Sequence, residues 1–176
     1  MFTLFHFGFE LIKMAIQAAV YSFIIYSLVF IYTEINKSSR LKQFKFAGIF
    51  LSTYGLLFVF SFTYYGNHGL GDEALIPLGH WETMNSGDGY AYFTASGTSE
   101  QLAVDSFLVK NDTLCAASAK VFFIYPLQSG VMKKFGSKYL YNKYALAHHL
   151  PQAHQLKTLW VQYHEYWSGW RFWMLP

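Results

Sequence analysis

The chain has 176 residues, of which 53% are hydrophobic, 21% aromatic and only 13% charged, with a formal net charge of +3. These totals fit an aromatic-rich soluble protein as well as a membrane one, so the distribution of charge decides, and a single cysteine excludes an internal disulfide. The excess positive charge belongs to the first 65 residues, because the eight Lys or Arg beyond Gly66 are matched by eight acids.

Residues 14–33 and 46–65 are two uncharged apolar stretches. At about 1.5 Å per residue each matches the roughly 30 Å hydrocarbon layer that a spanning helix must cross. The pattern predicts a transmembrane helical hairpin over residues 1–65, joined by a basic loop, 34–45, that carries Lys37, Arg40, Lys42 and Lys45. Lys and Arg in short loops stay on the cytoplasmic side, which puts both termini and residues 66–176 outside. The first stretch does not read as a cleaved signal peptide, since it is long, has no basic region ahead of it and follows Glu10. Phe2, Phe5, Phe9 and Ile12 recur at helical spacing, so the helix is expected to extend toward the N-terminus.

Helices in lipid associate through small residues that allow close approach. Gly48, Ser52 and Gly55 share one face of the second span, and Ala15 with Ala19, and Ala18 with Ser22, offer flat faces on the first. Gln17 is the strongly polar residue within the spans, read either as an inter-helix or oligomer hydrogen bond or as a hydrated group near the interface. Neither span contains an ionisable acid, Lys, Arg or His, which argues against a pore or a proton relay.

From Gly66 the chain reads as a small folded domain: a linker over 66–73, then an extramembrane α+β domain over 74–176. Short strands are expected at 74–78, 80–84, 90–94, 103–109, 113–117, 121–127 and 131–135, with reversals at 85–89, Asn111-Asp112 and 128–130. Connections this short imply an antiparallel sheet. Two C-terminal helices follow, one capped by Ser137 and ended by Pro151, the other carrying Leu156, Leu159, Trp160, Tyr163 and Trp167 as an apolar stripe before Ser168-Gly169. They are expected to cover one face of the sheet. The aromatic tail from Tyr163 has two readings: core that seals the domain, with Arg171 stacked on an indole, or an interface with membrane or partner formed by Trp170, Arg171, Trp173 and Leu175. The core reading of the tail is preferred, because a periodic stripe is more often core than docking surface, and the two can coexist on opposite sides of the segment.

Chemistry is sparse. His148, His149, His154 and His164 fall in the helical region and His80 lies beside a turn, but no HExxH, Cys pair or other familiar metal spacing is present. These histidines are pocket candidates only, and no catalytic residue, metal ligand or cofactor is assigned. Cys115 sits in an apolar strand, where a buried inert thiol is expected. A neutral domain without a basic face argues against nucleic acid as a partner. The sequence therefore reads as a two-pass protein of a bacterial inner membrane, holding a small periplasmic domain for non-enzymatic protein binding or scaffolding. Its partners would be the lipid bilayer and another envelope protein or a second copy. The alternatives are an effector or sensor that reorganises the hairpin, and a membrane-anchored hydrolase that uses the histidines.

Overall fold

The structure, a computed structural model, describes residues 2–36, 45–66, 73–87, 90–96, 98–119 and 121–176. The loop cations Lys37, Arg40 and Lys42, the linker residues 67–72 and the turn residues Asp88 and Gly89 lie outside the described residues. The chain divides into a helical unit, Met1–Gly71 with Gly169–Pro176, and a sheet unit, Asp72–Ser168. The last eight residues thus join the helices, whereas the sequence assigns them to the domain.

The helical unit begins with α1, Phe2–Asn36, a continuous helix of 35 residues. Its stretch Phe7–Asn36 is long and apolar enough to cross a membrane. The second helix, α2, Phe46–Ser61, has 16 residues and ends four positions before the expected boundary at 65. Local hydroxyl bonds explain the early stop. Ser61 Oγ donates to the Phe58 carbonyl and Thr63 Oγ1 to the Phe60 carbonyl, each at 2.7 Å, offering the backbone an alternative to helix. The chain then turns so tightly that a Cβ at Gly66 would clash with the Ser61 carbonyl.

The two helices pack on each other. Met14, Ala18 and Ser22 of α1 are buried, and α2 turns the half-buried side of Ile49, Phe50, Thr53, Tyr54 and Leu57 inward. Gly48, Ser52 and Gly55 are exposed, and a Cβ at Gly48 or Gly55 would meet nothing within 4 Å. This differs from the expected packing on small residues of α2. The larger residues of α2 are the half-buried ones, and a ring contact between Tyr26 and Phe46 joins the two helices.

The sheet unit holds two antiparallel sheets rather than one. The first contains β1 Glu73–Gly79, β2 Glu82–Gly87, β3 Tyr90–Thr94 and β4 Gln101–Val104 in sequential order. The second has the order β8-β7-β6-β5-β9, from β5 Ser106–Lys110, β6 Thr113–Ala117, β7 Phe122–Pro126, β8 Lys133–Phe135 and β9 Lys157–Thr158. The expected strand 103–109 is divided at Asp105, where the chain leaves one sheet for the other and the Asp105 N–H donates to the Ala117 carbonyl at 2.8 Å. The expected strand from His80 begins instead at Glu82. His80 and Trp81 form the β1–β2 turn with φ of 50° and 65°, a left-handed conformation that bulky residues adopt only under local constraint.

Register lines Ile76, Met84, Phe93 and Leu102 across the first sheet and Phe107, Ala116 and Phe123 across the second, and these rows meet in the main core. The opposite face of the second sheet presents Cys115 and Ile124 to Tyr141 and Ala145 of α3, Lys138–Ala147. The cap on α3 is the expected one, with Ser137 Oγ accepting the Leu140 N–H at 3.3 Å. Next, α4, Leu159–Trp167, bonds to both sheets: Trp167 Nε1 donates to the Leu75 carbonyl at 2.8 Å and Gln162 Nε2 to the Phe107 carbonyl at 2.9 Å. The helices therefore do not share one sheet face: α3 covers the second sheet, and α4 bridges β1 to β5. Because α4 starts at Leu159, its inward side is Leu159 and Trp167, while Trp160, expected in the buried stripe, is 52% exposed.

Candidate functional site

Along α1, Glu10, Lys13, Gln17 and Tyr21 stand at i, i+3, i+7 and i+11, which places four polar groups on one side of an otherwise apolar helix. The partner of this stripe is the end of the same chain. Gly169, with φ of 66°, is the N-cap of α5, Trp170–Met174. Gln17 Nε2 donates to the carbonyls of Trp173 and Leu175, both at 3.0 Å, and the Tyr21 hydroxyl donates to the Met174 carbonyl at 2.6 Å. Lys13 Nζ lies 5.0 Å from the centroid of the Phe172 ring and 3.4 Å from Glu10 Oε2. Helix C-terminal carbonyls have no partner within their own helix. Here α1 side chains supply the donors, so the stripe caps α5 from outside.

Within the clasp Glu10 is 7% and Gln17 6% exposed, while the Tyr21–Met174 bond faces solvent. Gln17 has spent its amide donor on two carbonyls, and its Oε1 is buried without a hydrogen-bond partner, as is Ser22 Oγ. Pro176 is buried and Leu175 half-buried, whereas Trp170 and Trp173 are exposed. The Arg171 guanidinium carbon is 5.1 Å from the Trp170 ring, the stacking expected from sequence. Of the small residues named on α1, Ala18 and Ser22 are fully buried, Ala15 is half-buried and Ala19 exposed.

The histidines are dispersed. His80 Nε2 sits 4.0 Å from Asp112 Oδ1 across two hairpin turns. His148 stacks on Tyr144 with centroids 4.1 Å apart, His149 follows in the left-handed region, and His154 and His164 are exposed. Among the described residues no three His, Cys, Asp or Glu side chains gather where they could hold a metal ion. Cys115 is fully buried against Tyr141, and burial pushes its thiol up to about 11. Burial pushes the Tyr141 hydroxyl up as well, with the neighbouring Cys115 adding to it, and that hydroxyl donates to the Pro151 carbonyl at 2.7 Å.

A second polar contact, absent from the sequence reading, crosses the core of the sheet unit. Glu82 is buried and its Oε1 accepts from the Tyr125 hydroxyl at 2.7 Å and from the Ser96 N–H at 3.1 Å. Burial, with Glu82 beside it, pushes the Tyr125 hydroxyl up to about 12. This contact ties β2 to β7, so it reads as an inter-sheet strut. Its one sequence signal is an acid inside a strand run. The clasp did have a signal, the polar series at 10, 13, 17 and 21 on α1.

No family model matches this chain, and neither the curated proteins nor the solved structures offer a relative.

Proposed function

We propose that this is a two-pass protein of a bacterial inner membrane that displays its sheet unit on the periplasmic side as a non-enzymatic binding or scaffolding module for another envelope protein or a second copy. The observation that carries the reading is an inversion. In the helical unit the buried residues include Glu10, Gln17, Ala18, Ser22, Thr33 and Ser61, while Phe23, Leu28, Ile31, Leu51, Leu56 and Val59 are exposed. Polar and small groups inside with large apolar groups outside suit lipid surroundings, not water. The apolar stretch of α1 is long enough to cross, and α2, with 16 residues or about 24 Å of helix, covers most of the roughly 30 Å layer. The basic loop orients the pair with its loop inside.

A second reading, a sensor or effector in which an event on the sheet unit reorganises the helices, is favoured by the clasp. The sheet unit is joined to the helical unit through residues 66–71 and again through α5, so a change in it acts on α2 through one strand of chain and on α1 through the other.

Topology and display are tested together. A cysteine placed at exposed Thr98 should react with a membrane-impermeant maleimide in intact spheroplasts, and a photo-crosslinker at exposed Tyr90 should give a discrete adduct in living cells. Labelling only after lysis would overturn the orientation, and the absence of any discrete adduct from Tyr90 and from a second site at Trp81 would overturn scaffolding.

A further inference from the structure

The sheet unit is neutral in sum but not in distribution. Between Asp112 and Glu165 the chain has no acid and carries Lys120, Lys133, Lys134, Lys138, Lys143 and Lys157. The expectation of a domain without a basic side therefore needs revision around β8 and α3. Lys134 is paired with Glu100 at 3.2 Å and Lys157 with Glu165 at 2.6 Å. Lys133 lies 3.9 Å from the Tyr144 ring centroid. Lys138 and Lys143 are exposed on α3, with no carboxylate against them among the described residues.

The outward side of α3 is unusual for a water-facing helix. Tyr141 and Ala145 point into the core, and the positions opposite them on the helical wheel are Tyr139, Leu140, Lys143, Leu146 and Ala147. Tyr139 is 73% and Leu146 65% exposed. A surface helix ordinarily places charged and polar groups there, so α3 is apolar on the side that the sheet covers and again on the side that it leaves open.

We propose that the outward face of α3 docks on an anionic lipid surface, with Tyr139, Leu140 and Leu146 entering the headgroup layer and Lys143, at the centre of that face, meeting lipid phosphates. The inference rests on the anchoring proposed above, which keeps a bilayer within reach of the sheet unit whatever else is present. Charge selects the occupant. A cation set among Tyr and Leu, with no acid on α3, is what an interfacial helix needs on anionic lipid, where each Lys near the surface strengthens attachment by about fivefold. Tyr suits the interface because its ring is apolar and its hydroxyl remains wet.

The test uses the full chain in lipid nanodiscs made either of phosphatidylcholine or of phosphatidylcholine with about one third phosphatidylglycerol. An environment-sensitive fluorophore is attached at Leu146→Cys, Cys115 being buried, and lipids carrying a quencher near the headgroup report contact. A second chain, labelled at Leu51→Cys on the exposed side of α2, reports anchoring by itself. The expected result is quenching at 146 in the anionic discs, weaker in the neutral ones, with Lys143→Gln lowering the docking equilibrium about fivefold. Quenching at 51 without quenching at 146 overturns the docking and leaves anchoring intact. Loss of quenching at both positions overturns both. A blue-shifted, unquenched label at 146 overturns it in favour of a protein occupant. Quenching that is equal in the two compositions and indifferent to Lys143→Gln overturns the choice of anionic lipid.

Discussion

The helical unit and the sheet unit solve the same problem in opposite senses. In the sheet unit Phe93, Phe107, Leu114, Phe123 and Tyr125 are buried, and the buried acid Glu82 is held by Tyr125 and Ser96. Stability there comes from apolar burial, about 1.5–3 kcal/mol for a fully covered Phe or Leu. In the helical unit burial of large apolar groups contributes little, because most of them face outward, and specificity is carried by a few donors of α1 against carbonyls of α5. A substitution that empties a core should therefore be severe in one unit, and one that removes a polar group should be the telling change in the other.

The largest effects are expected in the sandwich. Phe93→Ala removes a ring that stacks on Phe123 at 6.3 Å and meets Tyr125 edge-on at 5.0 Å, and Trp167→Ala removes a buried indole and its bond to Leu75. Each should cost about 3–5 kcal/mol, comparable with the whole stability of a small domain. Near-UV circular dichroism of the full chain in detergent during heating would record this. Trp160→Ala should cost under about 1 kcal/mol, since the ring is half in solvent. Equal losses from Trp160 and Trp167 would mean that α4 turns its other side to the sheets.

Next in size is the clasp. Gln17→Leu removes the donor for two carbonyls and should weaken the hold on α5 by about 1–3 kcal/mol. Trypsin reads this directly at the bond after Arg171, where cleavage should accelerate roughly 10- to 100-fold while the melting of the sheet unit stays unchanged. If cleavage is no faster, Gln17 does not hold the tail. If the sheet unit melts earlier as well, the two units are not separate in stability.

How much of this was legible depends on which side chains carry the pattern. The run 14–33 announces a span by its apolar length, and 113–117 reads as a strand because its inward Leu114 and Ala116 alternate with neighbours that face α3. The strand β2 was shifted because its inward series is Glu82, Met84, Ser86, in which two of three positions are polar, so the alternation gives no clear apolar face. The division at Asp105 was hidden because a bend between two sheets leaves the period of two intact on both sides. The two readings of the aromatic tail divide at Ser168: Trp167 is core, while Trp170 and Trp173 are exposed beyond it. The clasp was half legible. Its donors are regularly spaced side chains, but its acceptors are backbone carbonyls, which every residue has and which leave no mark in composition.

A smaller and pH-dependent difference follows from Cys115 and Tyr125. Both groups titrate higher in the folded sheet unit than in an unfolded chain, to about 11 from an ordinary thiol value of 9.0 and to about 12 from 10.0. A raised folded value gives stability that is complete below the unfolded value and lost as pH climbs through the folded one. The sheet unit should therefore be insensitive to these groups below about pH 9 and weaken progressively from pH 9 to 12. Cys115→Ala should remove the earlier part of that alkaline loss and Tyr125→Phe a share of the later part, the rest belonging to Tyr141, measured as the denaturant midpoint against pH. A midpoint that falls equally in the wild type and both variants would assign the alkaline loss to other groups.

The smallest effect is expected where small residues invite the largest. On α2, Gly55 sits on the exposed side, and a Cβ there would meet nothing within 4 Å. Gly55→Leu should change the association of α1 and α2 by no more than about 0.5 kcal/mol, and a better helix former in place of glycine offsets part of even that. The measurement is disulfide trapping between cysteines introduced at Tyr26 and Phe46, whose rings meet edge-on with centroids 6.1 Å apart. Unchanged trapping supports packing through Phe50, Tyr54 and Leu57. Trapping that collapses in the Leu variant would show that the glycine side faces α1 after all, and would place the large residues of α2 in lipid.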